Sequence, residues 1–185
     1  MDYELIRSRR RTLAVEYKGG RMTVRAPWHA TRGQIERFLQ AHSRQIEAYL
    51  EKERAREREL AEVPRLTREE LLALANRAKE VIPQRAAYYA PLVGVDYGRI
   101  TIRSQRTRWG SCSAQGSLSF NCLLLLAPPE VLDSVVVHEL CHRLEPNHSK
   151  RFYAEVLRVL PDYRAREKWL KENGRRLLAM LDGSR

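Results

Sequence analysis

At 185 residues, 43% hydrophobic and 31% charged, the chain is long enough for one domain with a substantial core and a small appended lobe, and has a soluble protein's balance. Its start, Met1-Asp2-Tyr3-Glu4-Leu5-Ile6, carries no signal-peptide pattern and its longest leucine run is Leu123 to Leu126, so neither secretion nor membrane insertion is indicated. The net charge of +11 predicts attraction to polyanions, a weak argument for nucleic acid because runs such as Glu51 to Glu59 mix both signs along one helix.

The first lobe, residues 1–63, reads as a β-hairpin followed by a long charged helix. Leu13, Val15 and Tyr17 alternate, Lys18-Gly19-Gly20-Arg21 turns, and Met22, Val24 and Ala26 alternate again before Pro27. Thr31 with Gln34 forms a capping-box pattern, and Ile35, Phe38, Leu39, His42, Ile46 and Leu50 mark one helical face. This helix is expected to run through the charged stretch and stop before Pro64. His29 and His42 read as structural. Arg7, Arg9, Arg10 and Arg11 form the least balanced basic cluster, the feature on which nucleic-acid binding by this lobe would rest.

The second domain is expected over 64–185. Thr67 and Glu70 form another capping box, followed at helical spacing by Leu71, Leu74, Ala75, Ala78, Val81 and Ile82, with Pro83 expected to bend or interrupt the helix. Ile100 and Ile102 mark a strand, Ser113 to Gly116 a turn, and Leu118, Phe120 and Cys122 a further extended segment. Pro128-Pro129 opens a helix from Glu130 to Arg143. Ser149 reads as the N-cap of a helix carrying Phe152, Val156, Leu157 and Leu160, and a last amphipathic helix follows Pro161-Asp162. Cys112, Cys122 and Cys141 are odd in number and form no C-x-x-C pair, so they read as reduced thiols of a cytoplasmic protein.

The run His138-Glu139-Leu140-Cys141-His142 carries the chemistry. On a helix, residues four apart share a face, so His138 and His142 present two imidazoles side by side to a zinc ion, with Glu139 beside the metal as general base. Pro146 cannot continue the helix and Asn147 tolerates a turn, so the chain can reverse and bring His148 back as third ligand. Glu155 on the next helix is the alternative third ligand.

A second block, Arg103 to Ser113, is unusually polar and basic for a stretch before a strand. Together, Arg108-Trp109-Gly110-Ser111-Cys112-Ser113, Asn121 leading to Ala127-Pro128, the histidine–glutamate run and Asn147-His148-Ser149 resemble the YgjP-like metallopeptidase family, related to SprT-like and other zincin proteases. The hairpin ending Val24-Arg25-Ala26-Pro27 resembles the same family. The resemblance implies an α+β, minimal zincin-like fold: a short mixed sheet on an active-site helix and backing helices, with three histidine ligands. It also implies an edge strand that can accept an extended peptide, for which Ser117 to Asn121 is the expected segment. The metzincin pattern places glycine where this chain has Glu145, so that class and its methionine turn are not assigned, although Met180 lies downstream.

The expected activity is therefore zinc-dependent hydrolysis of a peptide or protein, with Glu139 moving the proton of the attacking water. Arg106, Arg108, Trp109, Asn121 and Tyr153 are the expected substrate-binding residues. Planar guanidinium forks also suit phosphate, which keeps a nucleoside triphosphate pyrophosphohydrolase, acting for instance on UTP, as an alternative. A nucleic-acid-associated protease with a basic binding lobe is the third reading; no membrane partner is expected.

Overall fold

The computed structural model describes residues 2–181. The chain divides into two compact units, Met1–Glu62 and Val63–Arg185.

The first unit contains β1 (Glu4–Ser8), β2 (Ala14–Lys18), β3 (Arg21–Pro27), α1 (Arg32–Ala41) and α2 (Ser43–Ala61). Gly19 and Gly20, with φ of 58° and 76°, make the turn that lets β2 pair antiparallel with β3, Val15 opposite Val24. β1 adds to the other side of β3 in parallel register, Ile6 opposite Arg25, giving the order β1-β3-β2. Met22, Val24, Ala26, Ile35, Leu39, Ile46 and Leu50 form the unit's core. Arg7, part of the basic cluster, is committed internally: its Nη1 donates to the carbonyls of Pro27, Trp28 and Ala30 at 3.2, 3.0 and 2.7 Å. The single expected helix is two. His42 leaves helical dihedrals (φ −112°, ψ 16°), and its imidazole Nδ1 donates to the Phe38 carbonyl at 2.9 Å, competing for an acceptor of the helix ladder.

The second unit contains α3 (Arg68–Val93), β4 (Ile100–Arg103), β5 (Gly110–Cys112), β6 (Leu118–Asn121), a 3-10 helix (Cys122–Leu126), α4 (Pro129–Cys141), α5 (Lys150–Val159) and α6 (Tyr163–Ala179). Its architecture is α+β. Pro83 does not interrupt α3, which continues past it and past Pro91 as well, until Gly94 ends it with a φ of 86°. Burial of Ala78, Ile82, Ala86, Tyr89, Ala90 and Val93 along one side outweighs the ladder bond each proline removes.

The sheet order is β4-β6-β5, with β6 parallel to β4 and antiparallel to β5. The segment Ser117 to Asn121 is therefore not an edge. Both its neighbours are filled, and Leu118 and Phe120 are fully buried at the centre of the sheet. The outer strands are β4 and β5, and β5 is the one that packs against α4. Helix α4 packs against α3, α5, α6 and β5, and buries Val131, Leu132, Val135, Val136, Val137, Leu140 and Cys141. A helix apolar nearly all round belongs at the centre of the unit, and that is where α4 carries the histidine run. Arg85 of α3 clamps α4 through Asp133, Nε to Oδ1 at 2.6 Å and Nη2 to Oδ2 at 2.7 Å, while the Tyr89 hydroxyl donates to Oδ2 at 3.0 Å. No helix among the described residues is long and apolar enough to cross a membrane.

Candidate metal centre and cleft

Helical spacing puts His138 and His142 on one face of α4, with ring centroids 4.9 Å apart. The helix ends at Cys141, with the amides of Leu144 and Glu145 both donating to the Cys141 carbonyl at 3.0 Å. The chain then turns, and Ser149 caps α5 by accepting from the Phe152 amide at 3.2 Å. This turn returns His148 to the pair: its Nε2 lies 2.9 Å from Nε2 of His138, and its ring centroid is 4.8 Å from that of His142. Phe152, fully buried, lies beneath all three rings at centroid distances of 4.8, 4.6 and 4.9 Å.

One nitrogen from each histidine lies within 4.8 Å of the others, a spread and donor chemistry that fit a single divalent ion. The opposite nitrogens of two rings are already held. His142 Nδ1 donates to the Glu145 carbonyl at 3.1 Å, and His138 Nδ1 meets the Tyr163 hydroxyl at 2.8 Å. The carbonyl can only accept, so it fixes the His142 tautomer with Nε2 as the lone-pair atom, while the Tyr163 hydroxyl holds the orientation of the His138 ring. Burial, reinforced by His142 and His148, pushes His138 down to about 3, so its ring is neutral at ordinary pH. Burial also lowers His142, partly offset by its bond to Glu145. Glu155, the alternative ligand, instead pairs with Arg158 at 2.9 Å.

Glu139 is 6% exposed. Burial raises its carboxyl to about 8, with Arg108 acting in the opposite direction. The carboxyl lies on the backbone of Gly110 in β5, where a Cβ would come within 2.5 Å of Oε1 and 2.6 Å of Cγ. Trp109, next to it, rests on Gly174 of α6, where a Cβ would stand 3.0 Å from the indole Cζ2.

From His138 and Glu139 a cavity of about 370 Å³ extends towards α6, lined also by Arg108, Trp109, Val135, Tyr163 and Leu170. Arg108 and Trp109 thus line one cavity with His138 and Glu139. Tyr153 sits beside His148, ring centroids 6.4 Å apart, with the Arg164 guanidinium 4.1 Å over its ring. Arg106 is not among the cavity-lining residues, and its Nη2 donates to the Leu181 carbonyl at 3.5 Å. Asn121 is fully buried: its amide nitrogen donates to the carbonyls of Gln105 (2.6 Å) and Arg108 (3.1 Å), and Oδ1 accepts from the Leu123 amide (3.2 Å). With its amide hydrogens engaged, Asn121 braces the loop instead of meeting substrate. Sequence reasoning missed Tyr163 and Gly110 as parts of the site. Only the tryptophan–glycine pair ahead of a strand signalled a close backbone approach at Gly110.

The sequence profile described as YgjP-like, metallopeptidase domain, matches residues 66–173, more than half of the chain. The chain belongs to this family. Membership makes the YgjP-like chain a metallopeptidase-type hydrolase, implies a divalent metal, typically zinc, and suggests a peptide or protein substrate. Solved structures similar to it include two metallopeptidase zymogens. The crystal structure of the metallopeptidase zymogen of Pyrococcus abyssi abylysin is 22% identical with a TM-score of 0.46, covering 51% of this chain and 97% of that one. The metallopeptidase zymogen of Methanocaldococcus jannaschii jannalysin is 18% identical with a TM-score of 0.45, covering 50% and 95%. No curated protein matches the chain.

Proposed function

We propose that residues 64–185 form a zinc-dependent peptide hydrolase in which His138, His142 and His148 hold the ion and Glu139 is the general base, with residues 1–63 as an appended lobe. The observation that carries this reading is the convergence of three imidazoles beside one buried carboxyl. A bound zinc ion supplies Lewis acidity and brings the pKa of a water from 15.7 to about 7.

The chain's own residues do the rest. Glu139 is held against Gly110 and is ionised when a cation stands beside it. It accepts the proton of the attacking water and returns it to the leaving amine. Tyr163 and Glu145 keep the His138 and His142 rings aimed. Tyr153, beside His148, is a donor for the developing oxyanion, while Trp109 and Arg108 wall the cleft. A cytoplasmic setting belongs to this proposal, and the free thiols of Cys112, Cys122 and Cys141 accord with it.

Metal analysis with a peptide and nucleotide substrate panel tests the proposal. Glu139→Gln is expected to retain zinc and to lose peptide turnover by about 10²–10⁴-fold, whereas His138→Ala loses zinc. Full turnover by Glu139→Gln rejects the mechanism, and pyrophosphate release without peptide cleavage replaces the substrate class.

A further inference from the structure

The cavity beside Glu139 has a definite chemical character. Its floor is apolar, made by Trp109, Val135 and Leu170. Lys171 and Glu167 on its rim satisfy each other at 3.1 Å, and Glu167 also meets Arg164 at 3.4 Å. Arg108 differs. Its guanidinium has no hydrogen bond or ion pair among the described residues, and its one described electrostatic interaction is with Glu139. The backbone bearing it is nevertheless fixed, because the buried Asn121 amide donates to the Arg108 carbonyl at 3.1 Å and to that of Gln105 at 2.6 Å. A planar cationic fork without a hydrogen-bond partner among the described residues, on a braced loop that lines one cavity with Trp109, Val135 and Leu170, suits a group with an apolar body and a carboxylate tip.

We propose that this cavity is the subsite for a carboxylate-bearing residue next to the scissile bond, its carboxylate on Arg108 and its apolar part on Trp109, Val135 and Leu170. This rests on the peptide-hydrolase reading above. The carboxylate has two sources: the free C-terminus of a peptide ending in a bulky apolar residue, or the side chain of an internal glutamate. Both present the same two oxygens to the fork.

The test separates binding from turnover. Zinc-loaded protein is titrated with N-acetylphenylalanine and with N-acetylphenylalaninamide, following the Trp109 indole N–H resonance. The acid is expected to bind about ten- to hundredfold tighter than the amide, the usual worth of a hydrogen bond to a charged group. In Arg108→Gln that ratio falls to about one, while Arg108→Lys retains part of it. Equal binding of acid and amide, or a preference that survives Arg108→Gln, overturns the subsite.

Peptides sharing one cleavage site then locate the source: a free C-terminal phenylalanine beside the bond, its amide, and an internal glutamate at the same position. Faster cleavage of the first or the third in the wild type, lost in Arg108→Gln, identifies which carboxylate is read. Equal cleavage of all three overturns the proposal. If no peptide is cut, the peptide-hydrolase reading fails, and the acid–amide titration still reports on the cavity separately.

Discussion

Gly110 and Glu139 occupy one packing space: a Cβ on the glycine would fall 2.5 Å from the carboxylate oxygen Oε1. The strand backbone and the buried carboxyl touch because the side chain at 110 is a hydrogen. Gly110→Ala is expected to displace the carboxyl and lower kcat by about 100-fold, the scale of a misplacement near 1 Å. Zinc content should stay at the wild-type level, since none of the three histidines is touched. Paired kinetics and metal analysis check this; normal kcat in Gly110→Ala would show that the carboxyl's seat is irrelevant to turnover.

Tyr163 and His138 are joined at 2.8 Å, hydroxyl to Nδ1. Tyr163→Phe removes the oxygen and keeps the ring. Zinc affinity, read by competition with a chelator, is expected to fall about 10–100-fold, the usual effect of losing a partner behind a ligand. An unchanged affinity would assign the hydroxyl to packing alone.

The clamp between α3 and α4 predicts a stability effect of a different kind. Asp133→Ala leaves Arg85 without the carboxylate it holds at 2.6 and 2.7 Å and leaves the Tyr89 hydroxyl without its acceptor. The Arg85 side chain is 37% exposed, so water takes over part of its solvation and the loss is below that of a fully buried pair, about 2 kcal/mol. Denaturant titration should show a lower midpoint with the same slope, and zinc binding in the folded state should persist.

Metal-free protein should show a pH dependence traceable to Glu139. Its folded-state carboxyl is raised by burial to about 8 from an ordinary 4.5. The folded state therefore binds that proton more tightly than the unfolded one. The resulting stability is complete below about pH 4.5 and is lost as pH rises towards 8, by on the order of a few kcal/mol. Below about pH 6.5 the lowered His138 acts with the opposite sign, so Glu139→Gln should flatten the decline in chelated protein measured by unfolding from about pH 6.5 to 8. A slope that persists unchanged in the variant would place the proton elsewhere.

Features encoded within a few residues were legible in the sequence. Both capping boxes form, Thr31 with Gln34 and Thr67 with Glu70, because side chain and backbone partners lie three residues apart. The histidine cluster was legible for the same reason: two of the imidazoles follow helical spacing and the third lies one turn of chain away. Features made by distant pairing were not. β1 has no hairpin turn to announce it, since its partner β3 is parallel and reached only after β2. β5 is three residues inside a polar block and has no alternation to display. The Tyr163–His138 bond joins residues 25 apart on separate helices, which no local period encodes. Pro83 does not end α3, because local propensity is overruled by the core that the helix fills.

The central position of β6 leaves β5 as the open side of the sheet next to α4, and β5 is only three residues long. Alternate groups of a strand point outward, so such a border offers a passing chain one or two main-chain bonds at most. A ligand held by so short a seam has little grip from its backbone. Whatever chain meets this border, its side chains and not its backbone must supply most of the contact.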